Sequence, residues 1–284
     1  MGPRPAITMA TRTASQLHRL RQVSSRSNAL VKELRRTLAQ GQPSDEGWIG
    51  LEGIRIIEEA IRSGLRLQAV FFRGSSEDRA DRLLQQLSHH VETILLPDDV
   101  FDSAVATDHP QGVAALAVPR KSTLDEMFAA PMPLVVVAAG IQDPGNLGTL
   151  LRSAEAFGAS GVLACEGTVS PFNSKVVRAA AGSLFRLPVV AAKFADCLPH
   201  FHEHGLRLFA TSSHKGTDLD KAVLSGPCCV LVGNEGAGLP RNILAEVDEI
   251  IVIPHSPKVE SLNAGVAASL VLYEAARQRR ASPD

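Results

Sequence analysis

The residues with the most chemical content lie in three stretches of the second half of the chain. The first is Asp143-Pro144-Gly145-Asn146-Leu147-Gly148, followed by Arg152. The second is Asn234-Glu235-Gly236-Ala237-Gly238-Leu239-Pro240, directly behind the apolar run "CCVLV". The third is "IPHSPKVESLNAGVAASLVLYE", which begins at Ile253. The second stretch has the glycines of a phosphate cradle but lacks the Lys-Ser/Thr that completes one, and it places Glu235 where a phosphate site avoids negative charge. In the first stretch Pro144-Gly145 is a turn dipeptide, Asn146 is placed to cap the following helix, and Gly148 allows a backbone or ligand to approach closely. Arg152 follows one helical turn later, beside the apolar face of Leu147, Leu150, Leu151 and Ala154. A charge there is costly unless an anion accompanies it. In the third stretch Pro254 and Pro257 stiffen the loop and Ser261 is a candidate cap for a last helix, whose Leu262, Val266, Leu270 and Tyr273 form an apolar stripe. Rigid loops with free backbone groups suit recognition of a purine base.

The elements that must hold these loops are legible from periodicity. Residues 133–284 alternate continuous apolar strands ("LVVVAAG", "GVLAC", "LPVVAA", "LRLFATS", "CCVLVG", "EIIVIP") with helical segments, including "NSKVVRAAAGSLF", a short helix after "LRLFATS" and a long closing helix. Such alternation predicts a parallel sheet covered on both faces, with ligands beyond the carboxyl ends of its strands. Residues 25–118 predict a smaller α/β domain, with helices over "NALVKELRRTLAQ", "IRIIEEAIRSG", near "EDRADRLLQQL" and near "DDVFDSA". Residues 119–132 read as a linker, because proline and charge interrupt the pattern, and residues 1–24 as a basic, loose arm.

Composition narrows the function. The 284-residue chain has one Trp, one Tyr and a net charge of −1, which argues against a surface of stacked aromatic rings and against a polycation. Basic residues nevertheless concentrate in residues 1–40 and 167–195, which suits a polyanionic partner or a solvated helix face. The four cysteines lack C-x-x-C spacing and read as buried free thiols of a cytoplasmic protein; no apolar run reaches membrane-span length. His200, His202 and His204 have metal-ligand types, but only the first and last share a helical face and no third ligand is fixed, so no metal is expected. A dinucleotide site would place Glu166 on a ribose, yet Gly140, Gly145 and Gly148 lack the G-x-G-x-x-G spacing.

The three stretches, in this order and spanning roughly residues 134–278, resemble the signature motifs of the SpoU (TrmH-type) RNA 2'-O-ribose methyltransferases of the SPOUT class. The front half resembles the ribosomal-protein-like substrate-binding domain of rRNA-modifying members, through "SNALVKELRR" and the pairs Glu52-Gly53 and Glu59-Ala60. The resemblance implies a deep trefoil knot in the second domain, S-adenosylmethionine as cofactor, RNA (ribosomal RNA ahead of transfer RNA) as substrate, and a homodimer through the knotted domain. It implies cofactor contacts at Thr211, Leu231, Gly233, Ile253, Leu262 and Asn263. It implies catalytic roles for Arg152, Asn146 and Glu235, and RNA contacts from Asn28, Lys32, Arg35, Lys175 and Arg178. The family assigns the arginine as general base; because guanidinium stays protonated, binding a phosphate and stabilising the developing alkoxide is the safer role. Glu235 either attends the cationic cofactor or holds Arg152 or a backbone turn. The sequence departs from the family pattern at His255, Pro257 and Ala180. A non-catalytic RNA-binding protein of the same fold is the alternative from another class.

Overall fold

A computed structural model of the chain describes residues 20–76, 82–107 and 109–281. The chain divides into two compact units, Met1–Pro119 and Arg120–Asp284.

The first unit is built on a five-stranded mixed sheet, order β1-β4-β3-β5-β2. Its strands are β1 (Arg21–Gln22), β2 (Ile49–Glu52), β3 (Arg66–Arg73), β4 (Glu92–Leu96) and β5 (Val113–Val118). β3 and β4 are parallel, whereas β5 runs antiparallel to β2 and β3. Helix α1 (Ala29–Gln40) starts at Asn28, whose side chain accepts from the N–H of Leu30 and Val31, and stops at Gly41 in the left-handed conformation. Its Val31, Leu34 and Leu38 fall on one face at helical spacing and pack with Phe71, Ile94 and Phe101 into a dry core. Helices α2 (Ile54–Arg62) and α3 (Asp98–Asp102) follow β2 and β4. Of the arm expected over residues 1–24, residues 1–19 lie outside the described residues, and Arg21–Gln22 pair with β4 as an edge strand. Of the helix expected near residues 77–87, residues 77–81 lie outside the described residues and 82–84 are helical.

The second unit carries a seven-stranded sheet in which every pairing is parallel, order β10-β12-β9-β11-β6-β7-β8. The strands are β6 (Leu134–Ala138), β7 (Gly161–Ala164), β8 (Val189–Ala191), β9 (Arg207–Ser212), β10 (Thr217–Asp218), β11 (Cys228–Val232) and β12 (Glu249–Val252). β6 and β11 are buried at every residue, which is why they read as unbroken apolar runs rather than alternating ones. The helices are α4 (Leu124–Phe128), α5 (Pro144–Ala156), α6 (Ser174–Ala180), α7 (Phe194–Glu203), α8 (Arg241–Leu244) and α9 (Ala264–Ala281).

Three expectations need correcting. The stretch 119–132 does not behave as a linker: Met127 and Phe128 of α4 are buried in the second unit's core with Val135, Phe201 and Leu208. The helix expected over "NSKVVRAAAGSLF" breaks after Ala180, because Ala181 and Gly182 both take positive φ and a 3-10 turn, Ser183–Phe185, follows. The short helix expected after β9 is absent; Ser212 Oγ accepts from the N–H of His214 and Lys215 and makes a tight turn, after which Thr217–Asp218 pair with β12. Among the described residues no helix is long and apolar enough to cross a membrane.

Candidate active site

The sheet order explains how distant loops meet. β12, β9, β11 and β6 are consecutive neighbours, so the loops leaving their carboxyl ends open on one edge of the unit.

The loop after β6 turns at Gly140 and enters α5 through Asp143, whose carboxylate accepts from the Asn146 N–H at 2.8 Å. Asp143, not Asn146, is therefore the N-cap, and Pro144 takes the first helical position. A carboxylate already at this helix N-terminus disfavours a pyrophosphate there, which removes the dinucleotide reading. Freed from capping, the buried side chain of Asn146 points across the sheet edge. Its Nδ2 donates to Glu235 Oε1 at 2.5 Å, and its Oδ1 accepts from Asn263 Nδ2 at 2.7 Å. One amide thus joins all three glycine- and proline-marked stretches.

The loop after β11 is closed on itself. Asn234 and Gly238 exchange backbone hydrogen bonds, while Asn234 Oδ1 accepts from the N–H of Gly236 and Ala237 at 2.9 Å each. Asn234 Nδ2 donates to the Gly140 carbonyl, which fastens this loop to the first. Gly233 sits under the ring: a Cβ there would come within 2.5 Å of the Gly238 backbone carbon, so only glycine fits. Glu235 is left at the exposed rim.

The loop after β12 leads into α9 through Asn263, whose Oδ1 accepts from the Val266 N–H at 3.1 Å. Asn263 caps this helix in place of Ser261. Gly265 presses against Thr149 and the Asn146 carbonyl, so α9 packs on α5 at close range. The expected apolar stripe is present on α9 at Val266, Leu270 and Tyr273, while Leu262 precedes the helix. Val266, Leu270 and Tyr273 are exposed in the single chain, and the buried face consists of smaller Ala264, Gly265, Ala268 and Ala275 together with Val271 and Leu272. The close approach to α5 selects small side chains for the inner face.

The loops after β11 and β12, with the turn after β9, border a cleft of about 390 Å³. Thr211, Gly233, Glu235, Ile253, Leu262 and His255 line it, with Ser212, His214 and Lys215 on the side of β9. Thr211 Oγ1 donates to the Leu231 carbonyl, and Leu231 itself is buried in the core rather than lining the cleft. The His255 Nδ1 lies 2.7 Å from the Ile253 carbonyl, which anchors the ring to its own loop. Arg152 lies outside the lining, on the exposed side of α5, and has no polar partner among the described residues. Lys175 is exposed on α6, while Arg178 is half-buried there. In the first unit Lys32 is exposed, Asn28 serves as the cap of α1, and Arg35 binds the Ser103 carbonyl and hydroxyl at 2.9 and 3.0 Å.

The four cysteines are free and buried, and burial pushes the Cys165 thiol up to about 12. His200 of α7 and His204 just beyond it stack on Phe128, and no group of three or more metal-ligand side chains occurs among the described residues. Sequence reasoning missed Asp143, Asn234 and the Ser212–Lys215 turn. The Asp-Pro-Gly signature of an N-cap was available for the first.

Residues 133–273 match the SpoU rRNA Methylase family, and residues 28–115 match the MRM3-like substrate binding domain. A Synechocystis protein described as an uncharacterized tRNA/rRNA methyltransferase is 34% identical, covering 92% of this chain and 95% of its own length. The chain belongs to the SpoU rRNA methylase family. Among other SpoU relatives, the 23S rRNA (guanosine(2553)-2'-O)-methyltransferase RlmP of Bacillus subtilis is 29% identical over 89% of this chain and 98% of that protein. The 23S rRNA (guanosine-2'-O-)-methyltransferase RlmB of Vibrio vulnificus is 31% identical over 84% and 99%. Of solved structures, the SpoU methyltransferase AviRb from Streptomyces viridochromogenes, in complex with AdoMet, gives a TM-score of 0.78 at 27% identity, covering 90% of this chain and all of that one.

Proposed function

We propose that the protein methylates a ribose 2'-hydroxyl of ribosomal RNA with S-adenosylmethionine as donor. The observation that carries this is the hydrogen-bonded chain Asn263–Asn146–Glu235, which ties the first motif loop to the two motif loops that line the cleft. The residues present suit that cofactor. Backbone and neutral side chains at Thr211, Gly233, Ile253 and Leu262 border the cleft, with the Glu235 carboxylate suited to a nearby cation and Lys215 on the β9 side. When bound, the cofactor supplies an electrophilic methyl group on a sulfonium. Gly233 keeps the loop low enough for backbone contacts, and Asn146 fixes the orientation of Glu235. Arg152 takes the RNA phosphate beside the target ribose and stabilises charge developing on the 2'-oxygen, a role for which a protonated guanidinium free of protein partners is suited. Lys175, Arg178 and Lys32 add phosphate contacts. Ribosomal RNA is favoured because the relatives RlmP and RlmB are named for 23S rRNA and the front half matches a substrate-binding domain.

The reading includes a trefoil knot in the second unit and a homodimer. Support for the dimer comes from Val266, Leu270 and Tyr273, exposed by 46, 40 and 48%, which form an apolar strip along α9. The free thiols and the RNA substrate fit the cytoplasm. The test is direct. Total RNA from cells lacking the gene, incubated with the protein and methyl-labelled S-adenosylmethionine, should gain 2'-O-methyl groups at a discrete site in ribosomal RNA. Absence of labelling together with no calorimetric heat on adding the cofactor would overturn the reading.

A further inference from the structure

The free state of Arg152 needs an explanation, because an acid stands one helical turn away. Glu155 is at i+3 on α5, where side chains meet and an ion pair forms readily. The structure shows that carboxylate engaged elsewhere. Arg186, in the turn after the 3-10 segment, grips it with two parallel hydrogen bonds, Nε to Oε1 at 2.5 Å and Nη2 to Oε2 at 2.9 Å. The geometry is the bidentate fork that leaves a carboxylate little capacity for a second arginine. The buried Ser183 hydroxyl adds a further hydrogen bond to the same carboxyl, which is held below the usual glutamate range chiefly by Arg186. Arg186 is itself positioned from behind, its carbonyl accepting from Arg120, whose guanidinium also pairs with Glu126.

We infer that Arg186 is a positioning residue for the methyl transfer: by occupying Glu155 it keeps Arg152 unpaired and available to an RNA phosphate. The broken end of α6 acquires a purpose in this light. The positive-φ pair Ala181-Gly182 starts the 3-10 turn that presents Arg186 to α5. This inference rests on the phosphate role proposed for Arg152.

The experiment compares Arg186→Gln, Arg186→Lys, Glu155→Gln and the double variant Arg186→Gln/Glu155→Gln, using total RNA from cells lacking the gene and labelled S-adenosylmethionine. Arg186→Gln should lower kcat/KM about two- to fivefold, the size expected when an i,i+3 ion pair competes for the arginine. Cofactor affinity by calorimetry should not change. Glu155→Gln alone should be near wild type, Arg186→Lys should recover part of the loss, and the double variant should recover it nearly fully. A structural defect, or direct RNA binding by Arg186, predicts that the double variant stays as low as Arg186→Gln, and that result overturns the inference. Wild-type turnover by Arg186→Gln overturns it as well. Arg152→Ala in the same assay separates the two readings. If that variant is active, the role of Arg152 itself fails; if it is inactive while Arg186→Gln is unimpaired, only the role of Arg186 fails.

Discussion

Two sets of cations that look alike in sequence differ in what they hold. Among the described cations of residues 20–40, Arg21 pairs with Glu92, Arg26 with Asp99, Arg36 with Glu33 and Asp45, and Arg35 binds Ser103; only Lys32 has no partner. On α5 and α6 of the second unit Arg152 and Lys175 have none, whereas Arg178 has a partner and Arg186, beyond α6, is held by Glu155. The described cations of the front cluster are mostly engaged by groups of their own unit. Arg152 and Lys175 keep their charge unpaired within the chain. A local excess of basic residues measures sequence composition; the charge available to RNA is what remains after acids and carbonyls of the fold have been satisfied.

The strongest way to break this contrast is Arg152→Ala. Loss of a donor that acts in the transition state should reduce turnover by about 100-fold or more while calorimetric affinity for S-adenosylmethionine stays within about twofold. Near-normal methylation would show that an unpaired cation at this edge has no catalytic meaning. Gly233→Ala probes the loop behind it. Because the added carbon meets the Gly238 backbone, the ring must shift, and cofactor affinity should fall by about tenfold or more, equivalent to about 1.4 kcal/mol. An unchanged affinity would mean that the cofactor does not depend on this turn.

Asn146→Ala removes the amide shared by Glu235 and Asn263. Losing both hydrogen bonds should destabilise the protein by about 1–3 kcal/mol in denaturant unfolding and slow methylation by about tenfold. Full activity with lowered stability would confine Asn146 to the scaffold. The smallest effects sharpen the comparison within the front unit. Lys32→Ala should weaken RNA binding a fewfold and reduce the slope of log affinity against log salt by about one, as expected for one lost phosphate contact. Arg35→Ala should instead leave that slope unchanged and cost about 1 kcal/mol of stability from its lost hydrogen bonds. A reversal of these two signatures would place the engaged cations, not the free one, on RNA.

Much of the scaffold was legible in sequence for definite reasons. β6 and β11 are buried on both faces, so Leu134–Ala138 and Cys228–Val232 had to be unbroken apolar runs; the apolar face of α5 had to recur at helical spacing and is fully buried. The failures cluster where a local signal has two readings. Asn146 has the residue type of a cap, but Asp143 three residues earlier accepts the Asn146 N–H and leaves the amide side chain to longer-range bonds. Ser261 lost the cap of α9 to Asn263 in the same way. The stripe Val266, Leu270 and Tyr273 is legible as an apolar face, but apolar spacing does not say what covers it, and in the single chain it is exposed. The break at Ala181-Gly182 was hidden by helix-favouring neighbours and shows only once the chain is seen turning Arg186 toward Glu155.

By itself, then, the sequence determined the buried strands of the two sheets, though not the two-residue edge strands β1 and β10, together with the glycine at 233 and the residue types at the three motif loops, because burial and steric limits act on each residue locally. Only the tertiary structure decided that β12, β9, β11 and β6 lie side by side, that one asparagine joins three loops, and which arginines remain free. Those outcomes depend on pairings between residues far apart in the chain, up to 117 positions for Asn146 and Asn263, and no local pattern encodes a partner at that separation.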